Sequence, residues 1–229
     1  MRCYNSPMIS FRELSIGTGQ EQACERCLRI GRGSASSTPA PIPAPASFAD
    51  IEARIATIAP AAVMMRDFEP FKHPDLPRIV TALTGAGVRR IAARTDATAL
   101  VNPADARGCI DAGIRAFEVP IPLPSAATDA TLRGIAQAQD SAAELGHTLF
   151  ICGCIELCQH TAPRFFDMAQ TALAARVDAL RIECPDPQHY LDRRALADIH
   201  TLATQAGICL FGDGCEAFLK GAVLYEVVS

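Results

Sequence analysis

Val88-Arg89-Arg90-Ile91-Ala92-Ala93-Arg94-Thr95-Asp96-Ala97 holds one short strand-like run, Arg90–Arg94, followed by small and polar residues. Asn102-Pro103 then opens a helix that stops at Gly113, and Phe117–Ile121 reads as the next strand. That is one βα unit, and the pattern repeats in both directions. Strand-like runs lie at Arg12–Gly17, Ala62–Arg66, Thr148–Cys152, Ala179–Ile182 and Ile208–Phe211. From the second strand onward the starts fall at 62, 90, 117, 148, 179 and 208, in steps of 27 to 31 residues. Helices are expected over Ile51–Ala59 (behind the capping signal at Ser47), Pro74–Ala86, Asp129–Gly146, Pro163–Arg176 and Asp192–Ala206. Strand and helix alternating at this period predict a parallel sheet wrapped by helices, either a full or partial barrel or a doubly wound sheet.

The first step is longer than the others. Between strands one and two lie Cys24-Glu25-Arg26-Cys27 and a Pro/Ala/Ser-rich stretch at about 31–47, expected to be extended. Residues 1–229 read as a single domain carrying this loop.

Composition narrows the function classes. The chain has 229 residues, 49% hydrophobic, with a formal charge of −4, which argues against binding a nucleic-acid backbone. No apolar run reaches the roughly 18–20 residues of a membrane span, and Met1–Ser10 lacks the apolar core of a secretory signal. Ten cysteines stand out: Cys3, Cys24, Cys27, Cys109, Cys152, Cys154, Cys158, Cys184, Cys209 and Cys215. In an unsignalled chain of this length they point to a reducing, cytoplasmic setting and to core, metal-ligand or redox roles rather than a disulfide framework.

In parallel α/β folds the working site lies beyond the carboxyl ends of the strands. Five of the ten cysteines fall in those segments: Cys24, Cys27, Cys154, Cys158 and Cys184. The same segments hold Asp67-Phe68-Glu69-Pro70, Thr95-Asp96, Pro120 and His160.

With these residues in view, the chain from about Phe11 to Tyr190 resembles the radical S-adenosylmethionine (radical SAM) superfamily. Ile16-Gly17-Thr18-Gly19-Gln20-Glu21-Gln22-Ala23-Cys24-Glu25-Arg26-Cys27 resembles the passage from strand one into the family's Cys-x3-Cys-x2-Cys loop. Asp67-Phe68-Glu69-Pro70 with His73-Pro74-Asp75-Leu76 resembles its Gly-Gly-Glu-Pro segment and following helix, and Arg94-Thr95-Asp96-Ala97 the stretch ending Thr-Asn-Gly. The resemblance implies a partial (β/α)6 TIM-like barrel. It also implies a [4Fe-4S] cluster on Cys24 and Cys27, and S-adenosylmethionine near Asp67, Phe68, Glu69, Thr95, Asp96 and Pro120. Ile208–Phe211 would be a seventh strand with no place in a six-strand barrel.

Three positions depart from the family's pattern. Gln20 stands where the first cluster cysteine belongs, and a neutral amide is a poor replacement for a thiolate. Asp67-Phe68 replaces the glycine pair, and Pro120, which has no N–H, replaces a polar residue. Cys24 and Cys27 therefore read as cluster or metal ligands, as a redox dithiol, or as inert thiols. In Cys152-Gly153-Cys154-Ile155-Glu156-Leu157-Cys158, strand alternation puts Cys152 and Cys154 on one face, with Cys158 past the strand end. Cys154 or Cys158 would supply the missing thiolate or complete a zinc site; the alternative is that small cysteines fill the barrel. Cys184, at a strand end facing the barrel mouth, carries the same two readings.

Glu69 is either the ligand of the cofactor's amino group or a solvated acid. Asp67, Asp96 and His160 read chiefly as loop-capping groups, and Arg89-Arg90 and Arg193-Arg194 as solvated. Two functions follow. One is a radical SAM enzyme acting on a peptide or small molecule. The other is a degenerate, non-catalytic relative that binds a peptide or partner protein.

Overall fold

A computed structural model describes residues 9–18, 44–58, 62–158, 160–184, 192–213 and 225–228. Among the described residues there are eight strands: β1 (Ile9–Ser15), β2 (Ala62–Arg66), β3 (Arg90–Arg94), β4 (Ile114–Pro120), β5 (Phe150–Glu156), β6 (Ala179–Glu183), β7 (Cys209–Asp213) and β8 (Tyr225–Val228). They form one sheet in the order β7-β6-β5-β4-β3-β2-β1-β8, and every pairing is parallel. This is the strand order of a TIM-like barrel laid open between β7 and β8. The expected six strands are therefore eight. Ile208–Phe211 corresponds to β7, and β8 is a four-residue strand that the sequence pattern did not mark.

Six α-helices are described: α1 (Phe48–Thr57), α2 (Leu76–Gly85), α3 (Pro103–Ala112), α4 (Ala126–Glu144), α5 (Phe165–Ala174) and α6 (Arg193–Gln205). Their starts follow local chemistry. The Ser47 hydroxyl accepts the Asp50 N–H at 3.2 Å, Asn102 caps α3 through the Ala104 N–H, and Asp192 caps α6 through the Arg194 N–H. No described helix is long and apolar enough to cross a membrane.

Alternation along the strands sorts side chains into two worlds. One face sends Leu14, Val63, Met65, Ile91, Ala93, Phe117, Val119, Ile151, Leu180, Ile182 and Leu210 into the helix-covered core. The other face carries a smaller apolar layer at the amino ends of the strands, including Phe11, Met64, Ala92, Cys152, Cys209 and Phe211. Above that layer the inward positions become charged. Arg94 on β3 lies 3.4 Å from Glu183 on β6. In a flat sheet those strands would be about 14 Å apart, so the inner face is concave.

β5 extends to Glu156, past the expected end at Cys152. Its neighbours hold it there, since Cys154 pairs with Pro120 on β4 and Glu156 with Glu183 on β6. The long first connection closes at its base. The Thr18 N–H donates to the Ala44 carbonyl at 2.8 Å and the Ala46 N–H to the Ile16 carbonyl at 2.9 Å, forming an antiparallel bridge between Gly17 and Pro45. Gln20, Cys24 and Cys27 lie outside the described residues. So do most of the stretch at 31–47, Cys3 and Cys215.

Close approach decides where glycine is needed. A Cβ on Gly134 of α4 would overlap the Ala97 carbonyl oxygen, whereas one on the exposed Gly108 of α3 meets nothing within 4 Å. Gly134→Ala is expected to destabilise the chain by about 2–3 kcal/mol through overpacking, and Gly108→Ala to stabilise it by about 0.5–1 kcal/mol. Urea unfolding of the two variants checks the contrast.

Candidate functional site

The site is built where the charged layer of the concave face meets the loops leaving β2, β3, β4 and β5. Its floor is a network centred on Glu118, which is fully buried in the middle of β4. One carboxylate oxygen of Glu118 receives Arg94 of β3 at 2.6 Å and lies 3.7 Å from Arg66 of β2. The other receives Arg181 of β6 at 2.8 Å. Glu183 takes Arg181 at 3.2 Å as well as Arg94, and Glu13 on β1 lies 3.7 Å from Arg66. Three guanidiniums thus face three carboxylates from five strands, so the lumen is internally compensated.

Cys154 projects into the same layer, as alternation predicts. Its sulfur and the carboxylates of Glu118 and Glu183 have ligand-type atoms within 4.8 Å of one another, a spacing a metal ion would accept. The carboxylates, however, already bind guanidiniums. Burial pushes the Cys154 thiol well above its usual pKa, and Glu183 and Glu118 push it further. In the metal-free chain the setting therefore favours the neutral thiol.

None of the six described cysteines is in a disulfide, and all are buried. Cys152 and Cys209 fill the inner apolar layer, while Cys109 joins the helix-facing core, where burial pushes its thiol up to about 12. Cys158 lies beyond β5 as expected, with its sulfur 3.5 Å from the Thr161 hydroxyl. Cys184 follows β6, and its side chain packs in the helix-facing core.

The rim above β2 and β3 brings together Glu69, Thr95 and Asp96. Glu69 caps the short 3-10 turn Pro70–Lys72. One of its oxygens accepts the Thr95 hydroxyl at 2.7 Å and the Phe71 N–H at 3.4 Å, and the other accepts the Asp96 N–H at 2.9 Å. Glu69 is thus a partly buried strut between two strand ends rather than a solvated acid. Burial is the main cause of its raised pKa, opposed by the hydrogen bonds from Thr95 and Asp96. The Asp96 carboxylate caps Thr98, as a loop-capping reading requires.

Asp67 adopts φ 68°, a left-handed conformation at the place where the resembling family has glycine. Gly17 lies so close to it that a Cβ there would overlap the Asp67 carbonyl oxygen. The Phe68 ring meets His73 edge-on at 5.8 Å and packs on the helix-facing core. The Glu69 carboxylate and the half-exposed Asp96 carboxylate together make an acceptor set suited to an ammonium group.

At the ends of β4 and β5 a cavity of about 170 Å³ brings Pro120 and Cys154 together, with Arg94, Glu156 and Met168 also in its walls. Pockets for whole small molecules measure roughly 300–1,000 Å³. This one holds a side chain or a fragment, not a nucleoside cofactor. His160 has its Nε2 buried with no hydrogen-bond partner among the described residues. Arg89, Arg90, Arg193 and Arg194 are exposed, as expected.

Sequence reasoning missed the floor. Arg94, Glu118 and Arg181 sit inside the expected strands, and Glu183 follows the expected end of the sixth. The available signal was a charge at an inward position of three successive expected strands: Arg66, Arg94 and Glu118.

Two variants test this geometry. Glu118→Gln is expected to lower the unfolding free energy by about 3–5 kcal/mol, since it strips buried guanidiniums of their counter-charge. Arg164→Ala, which removes a pair to Asp167 with both side chains about half exposed, costs under about 1 kcal/mol. Urea denaturation compares the two. For Glu69, the folded chain holds its proton to higher pH than the unfolded chain does. Its contribution to stability is therefore complete below the ordinary carboxylate pKa of 4.5 and is lost as pH rises through the raised value. Relative to wild type, Glu69→Gln should gain stability over that window; a pH-independent difference would contradict the burial argument.

No model of a known protein family matches this sequence, and no curated protein sequence matches it. Solved structures do match. Streptococcus suis SuiB bound to the precursor peptide SuiA aligns with a TM-score of 0.58 and 12% identity, over 92% of this chain and 50% of that one. SuiB bound to S-adenosylmethionine gives 0.58 and 12%, over 92% and 52%. A further SuiB structure gives 0.54 and 14%, over 92% and 51%. The chain spans about half the length of these structures. At this level of identity, what it shares with SuiB is the fold: a parallel, helix-wrapped sheet of the TIM-like kind.

Proposed function

We propose that this chain is a radical-SAM-type protein that binds S-adenosylmethionine at the carboxyl ends of its strands and acts on a peptide. The observation that carries the reading is the exit of β2. There Asp67 keeps a glycine-like φ of 68°, and Glu69 is braced by Thr95 and Asp96. The same segment was singled out in sequence as resembling Gly-Gly-Glu-Pro. The fold likeness to SuiB, crystallised with S-adenosylmethionine and with a precursor peptide, supports both the cofactor and the peptide class.

In this reading Glu69 receives the cofactor's ammonium group. Thr95 and the Phe71 N–H on one oxygen and the Asp96 N–H on the other fix the carboxylate's orientation, and Phe68 is drawn aside against His73. Cys24 and Cys27 would hold a [4Fe-4S] cluster, with Cys154 or Cys158 as the candidates for a third thiolate. When bound, cluster and cofactor would supply one-electron reductive cleavage of a sulfonium, the electron coming from an external reductant.

A second reading is favoured by Gln20 at the first ligand position: a non-catalytic relative that binds a peptide or partner without radical chemistry. Anaerobic reconstitution with iron and sulfide separates the two. The enzyme reading expects about four irons per chain and release of 5′-deoxyadenosine on reduction. Fewer than about three irons, with no 5′-deoxyadenosine, would leave the binding module as the function.

A further inference from the structure

We propose that His73 is a positioning residue: a clasp that ties the base of the long first loop to the exit of β2 and thereby sets Glu69. The role assigned to Glu69 rests on the reading above; the clasp itself rests on hydrogen bonds.

His73 is buried, and both ring nitrogens are engaged. The Asp75 N–H donates to Nδ1 at 3.1 Å, so Nδ1 is the unprotonated nitrogen. The proton is then on Nε2, which donates to the Ala46 carbonyl at 3.1 Å. One imidazole tautomer thus joins two segments that are 27 residues apart in sequence.

Each end of this link is tied to something further. Ala46 belongs to the return limb of the first loop, whose N–H donates to Ile16 and which is bridged to Gly17 next door. That limb closes the connection carrying Gln20, Cys24 and Cys27. At the other end, the His73 N–H donates to Pro70 and closes the 3-10 turn that Glu69 caps. The imidazole also meets the Phe68 ring edge-on. Glu69 therefore lies between two groups that His73 holds, and its own carboxylate carries the constraint onward to Asp96. Displacing the ring would loosen the loop base and the carboxylate together.

The test uses the full chain. Nitrogen-15 spectra of the wild-type imidazole are expected to show the Nε2–H tautomer, and the Nδ1–H tautomer would overturn the assignment. Amide hydrogen exchange is then followed at Ala46, Thr18 and Asp96. Ile151, whose N–H donates to Asp178 far along the chain, serves as the control. His73→Asn leaves an amide too short to reach Ala46, while His73→Gln returns an N–H donor at about the reach of Nε2. The expected result is exchange about tenfold faster at Ala46, Thr18 and Asp96 in His73→Asn, with Ile151 unchanged, and near-wild-type rates in His73→Gln. Unchanged exchange at Ala46 overturns the clasp. Faster exchange at Ala46 without Asp96 overturns its coupling to Glu69, and equal acceleration at Ile151 reduces His73 to a general packing role.

Equilibrium dialysis with S-adenosylmethionine adds an arm for the site. About tenfold weaker binding in His73→Asn, recovered in His73→Gln, supports the positioning role; equal affinity in all three proteins overturns it. If the wild type binds no S-adenosylmethionine, the cofactor reading falls while the exchange rates still decide the clasp.

Discussion

A single buried carboxylate governs the interior. Glu118 meets guanidiniums arriving from β2, β3 and β6, and without it those three cations would be left with only Glu13 and Glu183 as counter-charges where little water can screen them. Such a centre is no cheap source of stability, because desolvating the ions offsets much of their attraction. What it contributes is geometry. Long side chains from separate strands must converge on one point, so the strands must curve around it. The apolar residues of the inner face occupy only the layer below, at the amino ends of the strands.

This division into a greasy lower layer and an ionic upper layer determines where ligand chemistry can take place. The centre of the concave face is filled by its own ions, and among the described residues a fragment-sized cavity lies at the ends of β4 and β5. Recognition of anything larger falls to the rim. There the loops are joined sideways: Glu69 to Thr95 and Asp96, and the Thr95 N–H to the Glu118 carbonyl at 3.0 Å. The rim is thus connected to the ionic floor through backbone as well as side chains.

The sequence made the scaffold legible because periodicity is local. Ala62–Arg66 and Arg90–Arg94 are strands with the expected ends, and the helix after Asn102-Pro103 stops at Gly113, where φ turns to 121°. Glu69 and Thr95 were also singled out, though not the bond between them. What stayed hidden depends on long-range contact. The convergence of Arg94, Glu118 and Arg181 requires knowing that distant strands face one another. The strand count failed at β8, a short run identifiable only by its pairing with β1. The helix-facing direction of Cys184 is likewise a matter of where the chain turns after β6. For Cys24 and Cys27, the reading still rests on spacing and resemblance alone.

Asp67 shows how a loop's shape can outlast its chemistry. A left-handed backbone costs most side chains roughly 1–2 kcal/mol, and aspartate and asparagine are the usual residues that tolerate it besides glycine. The close packing of Gly17 against the Asp67 carbonyl leaves the chain little alternative path. Substitution at position 67 is therefore confined to a small set of residues whatever the site binds. The route of the main chain past the end of β2 would persist through the loss, or the recovery, of a ligand there.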